Sequence, residues 1–455
     1  MRASPVQIPE AQIDVIEGGR HPRKNAIAFD LDRDFECSPE KLAAYAFSKW
    51  ESVIFDAMAV AASLEFADRV VKRAAYVWER RIAVRIPVHD PGRWSDPKVS
   101  DALHDAISFL TGDIWSINFI PRKNPSPSPP QEFLNLAAPT QAIIAYSDGM
   151  DSRAVFGIVS AHLSDKLLRV RVGSKSWDQP DSNKGREPFT KVPYDVPCNM
   201  SDRETSSRSR GFKFALITGI AAYLTDASEI IIPESGQGIF GPVFVSLGHA
   251  YPDYRNHPLF TARMERFLHA LLGSAVRYVF PRIWHTKGET LSEFVAVAAN
   301  KDWQSTRSCW RNSQWASVNS ELRQCGVCAA CMLRRLSVHA AGLREALSTY
   351  VCVDLSASEL LASIDPSFTR YSRAYRDYAI AGAQHLDYMA GLAADDARQI
   401  LKRHSWFLAP TLGISQAEAE DNLRALFGRH AKEWHSYMAS VGDSSFLKEW
   451  VRSGQ

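Results

Sequence analysis

The chain has 455 residues, 45% of them hydrophobic and 23% charged, the balance of an ordinary globular protein with two or three domains and a real buried core. Fifty-three basic residues against 51 acidic ones leave a net charge of +2, so no global field marks a nucleic-acid or membrane binder and any polyanion contact must be local. No apolar run reaches a membrane span, the first residues lack the apolar core of a signal peptide, and four of seven cysteines crowd between Cys309 and Cys331; together these features predict a cytoplasmic protein.

Residues 1 to about 24 read as polar and irregular. Asn25 to Asp32 alternates like a strand, and Ser38-Pro39-Glu40 opens a helix running toward Ala62, with a capping serine and a proline at its first position. Arg80 to Val88 places Ile82, Val84 and Ile86 on one strand face, Asp96 to Leu110 is an amphipathic helix, and Asp113 to Ile120 a further strand. These elements predict a small α+β domain without a catalytic constellation, in which Trp78, Arg80 and Arg81 belong to a packed and solvated sheet. The proline-serine segment Asn124 to Pro130 is stiff and extended, and closes an accessory region at residues 1–134.

The chemistry begins at Gln141. Ala142 to Tyr146 is a short apolar run of the kind that forms a buried parallel strand; Ser147-Asp148-Gly149 stops it, and a helical pattern follows with Val155, Phe156, Ile158 and Val159 on its apolar side. Such a strand-turn-helix junction lies at the carboxyl end of a strand and presents free N–H groups and the positive end of a helix, which suits an anion. Ser147 and Ser152 add hydroxyls, Gly149 lets the backbone approach the ligand closely, Met150 falls in the same nucleotide-binding loop, and Asp151 is a carboxylate for a Mg²⁺ that neutralises phosphate. The hexapeptide Ser147 to Ser152 resembles the S-G-G-x-D-S loop of the PP-loop ATP pyrophosphatases, with Asp148 where most members carry glycine. A carboxylate there either points away from the phosphates or helps place Mg²⁺.

Lys166 to Val172 reads as the next strand, ending at Gly173 where a nucleotide-binding sheet meets adenine. Residues 174–206 are polar and rich in turn formers, as a substrate loop would be. Arg208 and Arg210 precede a helical run from Phe212 to Leu224, so Arg210 is either a phosphate ligand or a solvated helix end. Glu229 to Pro233 is a third buried strand, followed by the glycine-bearing loop Glu234 to Gly238. Strands alternating with helices predict a parallel, doubly wound α/β sheet. Further on, Thr286-Lys-Gly-Glu289 offers Lys287, whose ammonium would stabilise negative charge developing in adenylyl transfer.

The strongest metal signal is Cys309 followed by Cys325-Gly-Val-Cys328-Ala-Ala-Cys331, where two overlapping C-x-x-C steps put three thiolates on one knuckle. Four thiolates complete a structural, tetrahedral Zn²⁺ site. An iron–sulfur cluster and unligated core cysteines are the rivals, although Met332 to Arg335 lacks the fourth cysteine of a ferredoxin run. Cys37, Cys198 and Cys352 are isolated and read as structural.

The loop at residues 147–152, Tyr251-Pro-Asp253-Tyr-Arg255, Thr286 to Glu289 and the four cysteines occur in the order found in 7-cyano-7-deazaguanine synthase, the QueC family of PP-loop enzymes, which the chain resembles over about residues 138–345. The resemblance implies a PP-loop core at 135–345 with a zinc knuckle, ATP with Mg²⁺, and adenylation of the carboxylate of 7-carboxy-7-deazaguanine followed by attack of an amine. It also implies that Tyr251, Asp253 and Arg255 contact the base. Two outcomes stay open beside coupling to an amine of a partner protein: the nitrile synthase itself, using ammonia, and an altered nucleotide-binding module. The regions on either side, 1–134 and a helical 346–455 with signals at Ala381 to Ala394 and Gln416 to Ala431, resemble the extensions of QueC-like proteins of anti-phage defence operons. They read as partner-binding surfaces.

Overall fold

A computed structural model describes residues 10–37, 51–74, 78–123, 140–147, 149–173, 192–196, 204, 206–245, 251–310 and 316–451. Expectations for Ser38 to Glu40, the proline-serine segment 124–130, Asp148, Cys198 and most of 174–206 fall outside the described residues. The chain forms two compact units, each assembled from separate segments: Met1–Tyr146, Asp165–Ile232 and Asp253–Val279 in the first, Ser147–Ser164, Pro233–Pro252 and Phe280–Gln455 in the second.

The first unit holds two four-stranded parallel sheets. Strands β1 (Glu10–Ile16), β2 (Ile27–Asp30), β3 (Arg81–Val88) and β4 (Ile114–Pro121) lie in the order β2-β1-β3-β4. The alternation of Ile82, Val84 and Ile86 buries one face of β3, as its sequence predicts. Strand β1 was not foreseen in the polar N-terminal stretch; it forms because Ile13 and Val15 are wholly buried while its backbone pairs with β2 on one side and β3 on the other. Helix α1 (Ser52–Val70) runs well past Ala62, and α2 (Pro97–Thr111) starts where Asp96 caps it. Arg80, expected on a packed and solvated sheet, is 3% exposed and held by Asp68 and Asp113, so its charge is neutralised inside the fold.

The second sheet contains β5 (Ala142–Ala145), β6 (Leu167–Val170), β7 (Glu229–Ile231) and β8 (Arg277–Val279), all parallel, in the order β8-β7-β5-β6. The expected strand from Lys166 breaks at Arg171, and Val172–Gly173 joins a small separate sheet with Val192–Asp195 and Glu36–Cys37. Strand order reverses between β5 and β7, the kind of switch point at which α/β proteins bind ligands. This parallel α/β architecture, with helices and a four-cysteine cluster, is the one expected for a PP-loop core bearing a helical extension.

The second unit is helical. It contains α3 (Met150–Leu163), then, beyond α4 (Arg210–Leu224) of the first unit, α5 (Gly236–Phe244), where a loop was expected. After α6 (Pro258–Leu272), again in the first unit, come α7 (Lys287–Val297), α8 (Ala329–Ala340), α9 (Arg373–Gly391), α10 (Arg398–Leu412) and α11 (Gln416–Ser440). Helix α10 escaped periodicity because Ile400, Trp406 and Phe407 face solvent beside the buried Leu401 and Leu408, which blurs its apolar stripe.

Candidate functional site

The loop leaving β5 closes on itself through two hydroxyls. Ser147 Oγ lies 2.8 Å from Ser152 Oγ, and the N–H of Gly149 donates to Ser147 Oγ at 3.2 Å. Gly149 caps α3 in extended conformation, so glycine is needed here for space: a Cβ would stand 3.1 Å from Ser147 Oγ. The result is a helix N-terminus beside two adjacent hydroxyls, a set of donors suited to phosphate oxygens.

Asp151, in the first turn of α3, accepts an ion-paired hydrogen bond from Lys287 Nζ, and the two side chains are 14% and 7% exposed. The helices that carry them meet in a core of Met150, Ala154, Ile158, Leu291 and Phe294. Gly157 makes their approach possible, since a Cβ there would fall 2.4 Å from Phe294 Cε2. Lys287 is presented by a reciprocal cap: Glu289 N–H donates to Thr286 Oγ1 at 3.1 Å, and Thr286 N–H donates to Glu289 Oε2 at 2.8 Å.

A third ionisable residue completes this cluster. Glu234, just beyond β7, lies beside Asp151, and withdrawal from water, with the Asp151 charge next to it, pushes its carboxyl up to about 8. Gly238 clears the space it fills, because a Cβ there would lie 2.1 Å from Glu234 Oε1. The sequence reading missed Glu234 as a site residue. Its only signal was an acidic side chain directly after a buried strand on the ligand edge of the sheet. Asp151 and Glu234 are hard oxygen donors of the type that binds Mg²⁺, so the residues fit the ion that accompanies ATP.

The four cysteines converge. The Sγ atoms of Cys309, Cys325, Cys328 and Cys331 all lie within 4.8 Å of one another, and Cys325 Sγ is 3.8 Å from Cys331 Sγ. A tetrahedron with Zn–S bonds of about 2.3 Å has S–S edges of about 3.8 Å, so the set fits zinc. Backbone N–H groups of Cys325 and Cys328 donate to the sulfurs of Cys309 and Cys325, both at 3.3 Å. Cys328 caps α8, and Cys331 lies in its first turn.

The same helix anchors the segment that supplies Cys309. Fully buried Arg334 binds Glu345 at 2.6 Å and reaches Thr306 Oγ1 at 2.7 Å, Ser308 Oγ at 3.4 Å and the Trp303 carbonyl at 3.3 Å. On its other side that segment holds the loop helix: Arg153 on α3 donates to the Asp302 carbonyl at 2.9 Å and to Ser305 Oγ at 3.2 Å. The cysteine knuckle and the phosphate-type loop are therefore joined by one packed strip of chain.

The remaining expected residues have local partners. Arg255 pairs with Asp253 across the turn, its Nε 2.7 Å from Asp253 Oδ2. Arg210 lies over the Phe214 ring, and burial, with Arg255 nearby, lowers its pKa. Gly173, Arg210, Asp253 and Arg255 belong to the first unit, and Tyr251, Ser147, Gly149, Met150, Asp151, Ser152, Lys287 and the cysteines to the second.

Residues 227–342 match the family model described as "Queuosine biosynthesis protein QueC". The matched stretch is well short of half of the chain; it contains Glu234, Lys287 and the four cysteines but starts after the loop at residues 147–152. It supports a QueC-like PP-loop relationship, and with it ATP use and deazapurine-related chemistry. No curated protein and no solved structure matches the chain. Among the described residues, no helix is long and apolar enough to cross a membrane.

Proposed function

We propose that this chain is an ATP-dependent carbon–nitrogen ligase that adenylates the carboxylate of 7-carboxy-7-deazaguanine, or a close deazapurine, and passes the acyl group to an amine on a partner protein. The observation that carries the reading is the cluster of Lys287, Asp151 and Glu234 at the start of α3, beside the hydroxyls of Ser147 and Ser152. In the first step a substrate carboxylate oxygen bonds to the α-phosphorus of ATP and the bond to pyrophosphate breaks. The acyl-adenylate then loses AMP as the amine nitrogen bonds to its carbonyl carbon, and the nitrogen gives up a proton.

Ser147, Gly149, Met150 and Ser152 are assigned to the pyrophosphate oxygens, with Asp148 flanking them; Gly173 and Arg210 are assigned to the nucleotide, and Tyr251, Asp253 and Arg255 to the base. Lys287 supplies the positive charge for the transition state, where one preorganised donor is typically worth about 10²–10³ in rate. Bound Mg²⁺ would neutralise phosphate charge, with Asp151 and Glu234 as its protein ligands. Zinc on the four thiolates has no open position and is assigned to structure.

Residues 135–345 are taken as the catalytic domain, flanked by accessory regions at 1–134 and 346–455. A cytoplasmic setting suits a thiolate set kept reduced for metal binding. The protein acceptor is favoured by the extensions, which a synthase using ammonia does not require, and by the exposure of Trp406 and Phe407 (66% and 51%) on α10, since adjacent exposed aromatics are typical of contact surfaces. The extended form's resemblance to proteins of anti-phage defence operons extends the reading to such a system.

The test is mass spectrometry after incubation with ATP, the carboxylated base and proteins encoded beside the gene. An amide-linked mass increase on one of those proteins is expected. Free nitrile at full turnover with ammonia would identify the synthase instead, and ATP binding without pyrophosphate release would identify a nucleotide-binding module.

A further inference from the structure

The reactive lysine is held from behind by the C-terminal region. Thr286, the cap of α7, is fully buried and spends its only hydroxyl proton on Glu433 Oε1 of α11, at 2.5 Å. The backbone N–H of Lys287 donates to Gln237 Oε1 at 2.7 Å. Gln237 in turn points its amide nitrogen at His430 Nδ1, 2.7 Å away, and at Glu433 Oε2, 3.3 Å away.

The protonation states are set by the partners. His430 Nε2 lies 2.9 Å from the Leu386 carbonyl, which can only accept, so the proton sits on Nε2 and Nδ1 accepts from Gln237. Burial lowers the His430 pKa to about 4, which keeps this tautomer neutral at ordinary pH. Arg429 adds an ion pair with Glu289, the other half of the cap, at 2.9 Å.

Helical spacing explains why one element reaches all these points. Leu426, Arg429, His430 and Glu433 fall on one face of α11, and glycines admit that face. A Cβ at Gly236 would stand 2.6 Å from Leu426 Cδ2, and one at Gly288 would stand 3.2 Å from Glu433 Oε1 and 2.7 Å from Ala340 Cβ. Packing alone would be served by apolar side chains; a chain of buried polar groups costs more to assemble and, where its members are paired as Thr286, Glu433, Gln237 and His430 are, fixes geometry more tightly.

We propose that Glu433 and His430 of α11, acting through Gln237 and Thr286, are positioning residues that set the first turn of α7 and so hold the Lys287 ammonium at Asp151. The C-terminal region is then a working part of the nucleotide site. The inference rests on the reading of Lys287 as the lysine of adenylation.

The test uses the full-length chain and four variants: E433L, which removes both acceptors; E433Q, which keeps an acceptor for Thr286; T286V, an isosteric loss of the hydroxyl; and T286S, which restores it. Pyrophosphate release, ATP affinity by calorimetry, thermal melting and hydrogen exchange at the amides of residues 287–289 are measured together. Misplacement of a reacting group by about 1 Å can cost on the order of 10²-fold. E433L and T286V are therefore expected to lose about 10- to 10²-fold in kcat, keep ATP affinity within about twofold and exchange the first-turn amides faster, while E433Q and T286S recover most of the rate. Should E433L fail to fold, the Thr286 pair keeps the proposal open to refutation with no change of shape: T286V removes the bond to Glu433 together with the cap that Thr286 gives to Glu289 N–H, so an unchanged kcat still overturns it.

Unchanged kcat in T286V, or a loss that T286S and E433Q do not recover, overturns the proposal while a dead K287A variant leaves the adenylation reading standing. A K287A variant that releases pyrophosphate at the wild-type rate overturns both.

Discussion

Lys287 and Asp151 stand 136 positions apart and still meet as an ion pair, with Glu234 against the carboxylate. Two acids and one ammonium in a space largely closed to water do not all ionise freely, and Glu234 is the one held neutral. Its folded-state pKa lies above the ordinary glutamate value of 4.5, so the unfolded chain releases this proton first as pH rises. Its contribution to stability is thus complete below about pH 4.5 and is lost as pH climbs through about 8. Melting temperatures taken between pH 5 and 9 should fall with rising pH in the wild-type chain and fall less in E234Q, which stays neutral throughout. Parallel profiles for the two chains would show that Glu234 does not carry this proton. Glu433, whose partial burial pushes it up to about 7, adds a loss of the same sign over a window that ends near pH 7, and E433Q in the same titration separates the two.

Helices α3 and α7 are the elements that bring this residue pair together, and the width of their contact is set by Gly157. A valine there must push against Phe294 and Ala298, and overpacking of this kind typically costs about 1–3 kcal/mol. G157V should lower the melting temperature, measured by calorimetry, and reduce pyrophosphate release by more than the folded fraction lost, because the displaced helix is the one that carries Asp151. The strip between α3 and the cysteine knuckle makes a second demand. Arg334 is buried with Glu345 and four further acceptors, so removing it strands a carboxylate. R334L should destabilise by roughly 3–5 kcal/mol in denaturant unfolding. A cost near zero would mean that the network adds nothing beyond what a packed leucine provides.

Across the whole molecule, zinc is the predicted tie between the knuckle and the loop helix, since the segment that brings Cys309 to the metal set also binds Arg153. Metal binding in small structural sites corresponds to about 10–16 kcal/mol. Chelation, or the variant C328S, should therefore lower the melting temperature and weaken ATP binding together, and metal analysis should return zinc and no iron or sulfide. Loss of metal with an unchanged melting curve would detach the knuckle from the fold's stability. Much of this arrangement is legible in order along the chain. The strand-turn-helix at residues 142–163 and the cysteine spacing each reside in a short window, where side-chain period and local chemistry state the structure directly. What no window contains is partnership. Strand β1 becomes a strand only when β2 and β3 flank it, Glu234 becomes a site residue only beside Asp151, and Glu433 reaches Thr286 across 147 positions. Periodicity and spacing decided the strand-turn-helix at residues 142–163 and the four-cysteine set of this protein. Tertiary structure alone decided which buried charges face one another, because a lone polar side chain has no period and its meaning depends on the partner that packing brings to it.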